Sequence, residues 1–544
     1  MEMTRRNFLT ATGTAAAAVA GCSCQTVRSA SAEATEETLP EADATKTADV
    51  IVVGGAGVSG MVATCHAHDL GLDVLAIDRA EDFGQTNTAN YGGVFALETP
   101  DRLEWPVYVT KKDFFERYVS ECSNQCNFAA VRNMIVHSAE TAALVEENAP
   151  GFYWFHGTEP ATELLTPLKS YASYTVDCWD DSLYGSERVP YLQKSFDDRN
   201  INIEWGANAT NLLFDGEKVY GVRYTDASGR VVDATADNVI VCCGGCAHNP
   251  DLVAELSGGA KVVGIGSSNC DGAGIKMAYE VGAAKGKCFT FGLSEFGAGN
   301  DKAVPPFSYI GTEGPLTLMM AAGLYVNAAG ERFMPEQTIL KGTMFSSDAF
   351  SRQGSYFAVV DQSVVDRFTN ESVYDAIGAA QPGLNPGMEY IWGDTFISDL
   401  QEQMDSGVEQ GWIFKGETFE ELAQAMGCDA LVETLNTYNG YCETGVDKQF
   451  YKQADLLQKL EAGPYYAIEC MTATFNTIGG VKVDGFCRAL DEEGNYIPGL
   501  FVTGSDADLW STQYTYGNTC QGFESMSGYL AAEICAGNTL DYEA

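Results

Sequence analysis

The stretch DVIVVGGAGVSG, Asp49 to Gly60, decides how the rest of the chain is read. Val50 to Val53 is a short apolar, β-branched run of the kind that forms a buried parallel strand. Gly55, Gly57 and Gly60 follow at the spacing GxGxxG. Met61 to His68 continues without Pro or Gly and is expected to be helical. Each glycine has a physical task. The first permits the tight strand-to-helix turn, the second lets backbone approach a pyrophosphate, and the third lets helix and strand pack closely. The helix N-terminus, with Val58 and Ser59 in its first turn, faces the phosphates. Asp73 to Ile77, DVLAI, is a second strand, and it runs into Asp78 and Arg79. A carboxylate about 20 residues after the glycines can accept hydrogen bonds from an adenosine ribose. Strand, glycine turn, helix, strand and acid together predict a dinucleotide-binding unit. Gly54 is an extra residue between strand and motif, and it predicts an irregular strand end.

Upstream, Thr4-Arg5-Arg6-Asn7-Phe8-Leu9 has the form of a twin-arginine export signal, followed by an alanine-rich apolar stretch to Ala20. That stretch is too short to span a bilayer. Val19-Ala20-Gly21-Cys22 resembles a lipobox, which predicts lipid anchoring at Cys22 on the outer face of the cytoplasmic membrane. Ordinary cleavage near Ala30 or Ala32 is the alternative. Ser23 to Lys46, rich in Ser, Ala, Thr and Glu, is expected to be a flexible tether.

The 544 residues carry 32 Lys and Arg against 75 Asp and Glu, a formal charge of −43. Such a surface repels nucleic acid, which is excluded as a partner. The 17 cysteines form no regular framework. Cys122 and Cys126 are separated by three residues, and Cys242, Cys243 and Cys246 cluster, but neither set has the paired spacing of a zinc or ferredoxin site. No metal site and no c-type haem motif is predicted.

Downstream, Thr86-Asn87-Thr88 leads through small residues to Gly92-Gly93, a loop suited to run along a bound cofactor. Lys111 to Cys122 and Ala129 to Glu147 have helical periodicity. Asn202 to Trp205 and Thr210 to Phe214 are strand-like, and Lys218 to Tyr224 and Val231 to Thr235 complete an antiparallel meander. Asn238 to Cys243 is another buried strand, ending in Gly244-Gly245. Asp271 then opens the helix Ile275 to Val281.

This order resembles the flavoprotein family of fumarate reductases, succinate dehydrogenases and ketosteroid dehydrogenases. The resemblance continues through GLYVNAAGERFMPE (Gly323 to Glu336), the helical segment Glu417 to Asn439, Gly463-Pro464-Tyr465-Tyr466, Gly479-Gly480, and a last strand Ile497 to Phe501 leading to Gly504 and Ser505. It implies an α/β fold: a three-layer FAD-binding domain of glutathione-reductase-like type with an inserted α+β cap domain. The implied parts are signal and lipobox over 1–22, linker over 23–47, FAD-binding domain over 48–283 and 465–544, and cap over 284–464. FAD is expected to bind non-covalently. Gly92, Gly93, Gly244, Gly245, Asp271, Gly504 and Ser505 join the glycine loop, Asp78, Arg79 and Thr86 to Thr88 as its expected contacts.

The chain departs from the fumarate reductases at three substrate positions. Leu340, beside Lys341, stands where they have a proton-donating arginine, Phe475-Asn476 replaces a His-His pair, and Thr515 replaces a carboxylate-binding arginine. Tyr514 instead matches a tyrosine of the ketosteroid dehydrogenases, although Asn518 stands where they have a later glycine. Tyr514, Lys341 and Tyr516 are the expected proton or hydrogen-bond donors. The implied reaction is reduction of an activated C=C bond of an unsaturated acid or enone, with electrons from a membrane or cytochrome donor, as in anaerobic respiration. Two alternatives stay open: the reverse dehydrogenation, ketosteroid-dehydrogenase-like, and a non-catalytic ligand-binding flavoprotein.

Overall fold

The computed structural model describes residues 41–90, 96–98, 110–121, 124–148, 153–158, 172–177, 189–259, 262–264, 266–287, 290–291, 295–298, 314–318, 323–337, 349–350, 352–380, 395–474, 476–509 and 519–540. These belong, but for Glu41, to one compact unit, Ala42–Ala544.

The opening strand, Val50–Val53, is buried at all four residues. It lies parallel between Val74–Ile77 and Asn238–Val241, with Val50 opposite both Val74 and Asn238. Tyr496–Val502 adds in parallel beyond Asn238–Val241, and Arg488–Leu490 closes that edge antiparallel. The resulting five-stranded sheet has its apolar runs, VIVV and NVIV, at the centre, where both faces are covered. Helix Val58–Asp69 connects the first two of these strands. The C-terminal helix, Thr519–Cys535, lies against it. Gly528 makes that contact close: an added Cβ would fall 2.2 Å from the Ser59 carbonyl oxygen.

Asn208–Phe214, Val219–Thr225 and Val231–Thr235 form the expected meander. It shares one hydrophobic core with the five-stranded sheet, built on Ile51, Val222, Tyr224, Val239 and Leu500. Of the expected strand at Asn202 to Trp205, only a bridge from Glu204 to Ile77 forms.

The tether prediction needs correction at its C-terminal end. Ala44–Thr47 is a fourth strand of the meander, parallel to Val231–Thr235. Asp43 and Ala48 donate their N–H groups to Val231 and Thr235 at its two ends, 2.8 and 3.0 Å. Backbone hydrogen bonds hold this half-exposed strand, so it needs no apolar pattern. The helical run Ala129 to Glu147 is likewise two helices, Phe128–Val136 and Ser138–Asn148, broken at His137.

A second sheet is centred on Tyr465–Thr474. That strand pairs antiparallel with Ser355–Asp361, Ile413–Gly416 and Glu295–Ala298, and parallel with Val263–Gly264. Leu324–Asn327 pairs on the outer side of Ser355–Asp361. Two hydrophobic cores flank it. One gathers Tyr356, Val365, Leu400 and Tyr466, and the other Leu422, Leu435 and Tyr438. The boundary expected at Tyr465 therefore does not mark a change of sheet. The chain returns to the first core only after Thr474, at Ile478 and Val481. Alternation gives a strand's faces but not its partners, and the partners are what place this strand in the second sheet. No helix among the described residues is long and apolar enough to cross a membrane.

Candidate functional site

The glycine turn is built as the spacing requires, with one exchange of roles. Gly54, the extra residue, has φ +88°, and an added Cβ there would lie 2.4 Å from the Cys242 carbonyl oxygen. Gly54 therefore makes the turn assigned to Gly55. Gly55 instead allows close packing, its missing Cβ lying 2.9 Å from the Ala76 Cβ. Gly60 abuts the Gly54 carbonyl, 2.1 Å from where its own Cβ would be, so helix and loop touch backbone to backbone. Gly57 caps helix Val58–Asp69 with no side-chain bond to the first turn. The first-turn N–H groups of a helix have no intrahelical acceptor and carry partial positive charge.

These groups border a cleft. Gly57, Val58, Ser59, Asp78, Arg79, Thr86, Asn87, Gly244, Gly504 and Ser505, all named above as expected cofactor contacts, line it. Asp78 is buried; its Oδ2 accepts the Ala56 N–H at 3.0 Å and its Oδ1 the Ala80 N–H at 2.9 Å. Burial pushes its carboxyl above the usual range despite those bonds. Arg79 donates to Asp271 Oδ2 at 2.9 Å and to the Asn269 carbonyl. Burial would raise the Asp271 carboxyl, but the Arg79 bond and charge outweigh it and hold the group low. Asp271 therefore braces Arg79 rather than lining the cleft. Asn87 Oδ1 accepts from Ser267 N at 2.7 Å, which joins the two loops on this side.

Three expected contacts do structural work under the cleft. Thr88 is fully buried and donates to the Ala56 carbonyl at 2.6 Å. Gly60 packs against the Gly54 carbonyl. Gly245, at φ +79°, presents its N–H to Asp506 Oδ1 at 2.8 Å. Gly92, Gly93, Lys341, Tyr514 and Tyr516 lie outside the described residues.

The sequence reading missed Asp506 and Glu524, and it noted Asn476 only as a departure from the His-His pair of the fumarate reductases. Asp506 is fully buried and takes the Cys243 and Gly245 N–H groups, tying the turn after Asn238–Val241 to the short 3-10 helix Gly504–Asp506. Burial pushes its carboxyl up to about 6, against the pull of those two bonds. Asn476, Ser505 and Glu524 form a buried polar cluster in the cleft wall. Asn476 Nδ2 donates to Ser505 Oγ at 2.6 Å and to Glu524 Oε1 at 2.8 Å, and Ser505 Oγ donates to the same Glu524 oxygen. A charged residue inside the apolar C-terminal helix was the available signal for Glu524. Cys242, Cys243 and Cys270 also line the cleft, and burial drives all three thiols well up, which keeps them protonated. Among the described residues no group of three or more His, Cys, Asp and Glu could hold a metal ion.

The arrangement fits a dinucleotide. A helix N-terminus free of side-chain caps meets the anionic centre, Asp78 stands at one side for a ribose, and the cleft continues past Ser59 to further polar groups. A model of the family described as FAD binding domain matches residues 49–522. The vinyl phenol reductase of Lactiplantibacillus plantarum is 26% identical over 499 residues, covering 88% of this chain and 94% of that protein. The NADH:fumarate oxidoreductase of Klebsiella pneumoniae is 23% identical over 525 residues; the match covers 92% of this chain but only 50% of that protein's length. Among solved structures, the 3-ketosteroid delta1-dehydrogenase of Sterolibacterium denitrificans superposes with a TM-score of 0.70 at 16% identity, over 90% of this chain and 100% of that one.

Proposed function

Since this chain belongs to the FAD-binding-domain family and is an FAD-dependent oxidoreductase, we propose that it reduces an activated C=C bond of an unsaturated organic acid or enone. The observation that carries the reading is the convergence of the glycine-loop helix, Asp78 and the Asp506-held turn on a single cleft. Its relatives support the reaction class, one being a vinyl phenol reductase and another an NADH:fumarate oxidoreductase. We read the architecture as a three-layer domain of glutathione-reductase-like type, with the sheet centred on Tyr465–Thr474 belonging to a cap.

When bound and reduced by its electron donor, FAD would supply a hydride for one carbon of the double bond and return to the oxidised form. The helix N-terminus and Gly57 would receive the pyrophosphate, Asp78 would accept from the adenosine ribose, and Arg79, braced by Asp271, would close that end. Tyr514 supplies the hydrogen bond or proton at the substrate's electron-withdrawing group, with Lys341 and Tyr516 as the alternative donors. A phenol with a pKa near ~10 stays protonated at neutral pH and can donate. A neutral donor suits an enone or ester-like group better than a second carboxylate, which would want the arginine replaced here by Thr515.

The test is anaerobic reoxidation of the dithionite-reduced protein by a panel of unsaturated acids, enones and vinyl phenols. Rapid reoxidation by at least one class is expected, and Tyr514→Phe should slow it by on the order of 10²–10³. If no panel member reoxidises the flavin while saturated steroids reduce the oxidised protein, the dehydrogenase direction is correct instead. Acid precipitation should leave a yellow supernatant, as non-covalent binding requires.

We also propose export by the twin-arginine route and a lipid anchor at Cys22. Arg5→Lys with Arg6→Lys should trap the protein inside the cell. Membrane association that survives Cys22→Ala would sink the anchor.

A further inference from the structure

The polar cluster of Asn476, Ser505 and Glu524 draws its members from three separate parts of the chain. Asn476 lies between the strands Tyr465–Thr474 and Thr477–Ile478, Ser505 in the 3-10 turn, and Glu524 inside the C-terminal helix. All three are buried, and all three line the cleft. Both donors, Asn476 Nδ2 and Ser505 Oγ, go to one oxygen of the carboxylate, Oε1. A charge removed from water is costly unless hydrogen bonds compensate it.

The cluster's position along the cleft is fixed by a chain of contacts. Asp78 holds the Ala56 N–H, and Gly57 caps the helix directly after it. Ser59, in the first turn, touches Gly504: a Cβ added to Gly504 would lie 3.1 Å from Ser59 Cβ and 3.9 Å from Glu524 Cγ. Asp78 follows Val74–Ile77 on one side of Val50–Val53, and Ser505 follows Tyr496–Val502 on the other, beyond Asn238–Val241. Glu524, bonded to Ser505, therefore stands across the glycine loop and its helix N-terminus from Asp78. The anionic middle of a dinucleotide belongs at that N-terminus. Asp78 faces the sugar on one side of it, so Glu524 faces the cofactor segment on the other side.

An ionised carboxylate only accepts hydrogen bonds. It repels a phosphate and selects a donor. In FAD the segment next to the pyrophosphate, on the side away from adenosine, is a polyhydroxylated ribityl chain, which is a row of donors. We propose that Glu524, backed by Ser505 and Asn476, is a cofactor-binding carboxylate that accepts from the ribityl hydroxyls. This rests on the FAD reading above.

The test separates the two halves of the cofactor. FAD affinity is measured on the full chain by the fluorescence of flavin released on dilution, and ADP affinity by displacement of bound FAD. Glu524→Gln keeps the shape and removes the charge. FAD should bind about 10- to 100-fold more weakly, the loss of one charge-assisted hydrogen bond. ADP, which has no ribityl chain, should bind within about twofold of wild type, as a ligand confined to the Asp78 side and the phosphates must. Unchanged FAD affinity, or parallel losses for FAD and ADP, would overturn the proposal. If Glu524→Gln does not fold, the wild-type chain is titrated with FAD analogues lacking single ribityl hydroxyls. At least one should lose about tenfold, and uniform affinity across the set overturns the assignment. A wild-type chain that holds no FAD at all would instead remove the reading on which the proposal rests.

Discussion

At the scale of single residues, two glycines of one motif should fail in different ways. Gly57 lines the cleft, and its added Cβ would have 3.3 Å to Gly54 O and 3.4 Å to Cys242 O, tight but without a collision that must unfold the loop. Gly57→Val should abolish FAD loading while a cooperative melt persists. A Cβ on Gly60 would sit 2.1 Å from a backbone carbonyl. Gly60→Ala should therefore lower stability by about 1–3 kcal/mol, read by denaturant unfolding of the flavin-free chain. Asp506 gives a pH prediction. Its carboxyl is raised in the folded state to about 6 from 3.8. Between those values the folded state binds the extra proton, so the contribution of Asp506 to stability falls as pH rises through about 6 and recovers on acidification. Asp506→Asn should remove that slope, by at most about 3 kcal/mol across the window. A wild-type-like pH profile in the variant would show that another group carries it.

At the scale of elements, the loop after Leu324–Asn327 is tied to the segment after helix Ala430–Thr444 by buried charge. Arg332 pairs with Glu336 at 2.7 Å and with Asp447 at 3.0 Å, all three side chains almost wholly buried. Lys452 Nζ stands 3.7 Å from Glu336 and donates to the Gly323 carbonyl at 2.6 Å. Burial raises the Asp447 carboxyl, but the Arg332 bonds pull further and hold it at about 2. Removing one partner of such a network strands the others without water. Arg332→Met should cost about 3–5 kcal/mol, measured by chemical denaturation. A loss near zero would mean the carboxylates find other partners. The GERF motif marked this segment in the sequence, but its distant partners Asp447 and Lys452 carried no signal there, because pairing across about a hundred residues leaves no local pattern.

At the scale of the whole molecule, we propose that electrons reach the flavin from a separate carrier. The sequence has no haem-attachment motif and no second GxGxxG unit for a nicotinamide. The expected donor is a separate membrane or cytochrome carrier, so turnover should proceed with reduced viologen and an unsaturated acceptor. Rapid turnover with NADH alone would remove the need for that carrier. The charge of −43 predicts that a basic carrier protein associates faster at low ionic strength, which stopped-flow reduction at two salt concentrations would reveal.

Local sequence determined the parts whose physics is local. The VIVV strand, the glycine spacing, the acid after the second strand and the three hairpin strands of the meander each follow from periodicity or from a backbone that tolerates no side chain, although Gly54 rather than Gly55 makes the turn and Asn202 to Trp205 forms only a bridge. Tertiary structure alone decided the rest. It placed Ala44–Thr47 in a sheet through main-chain bonds that need no hydrophobic pattern, and it gave Tyr465–Thr474 to the second sheet because a strand's partners are chosen by the whole chain. It also gathered Asn476, Ser505 and Glu524 onto one wall of the cleft. Buried polar groups must satisfy one another wherever the fold brings them together, and that requirement operates across the molecule rather than along the sequence.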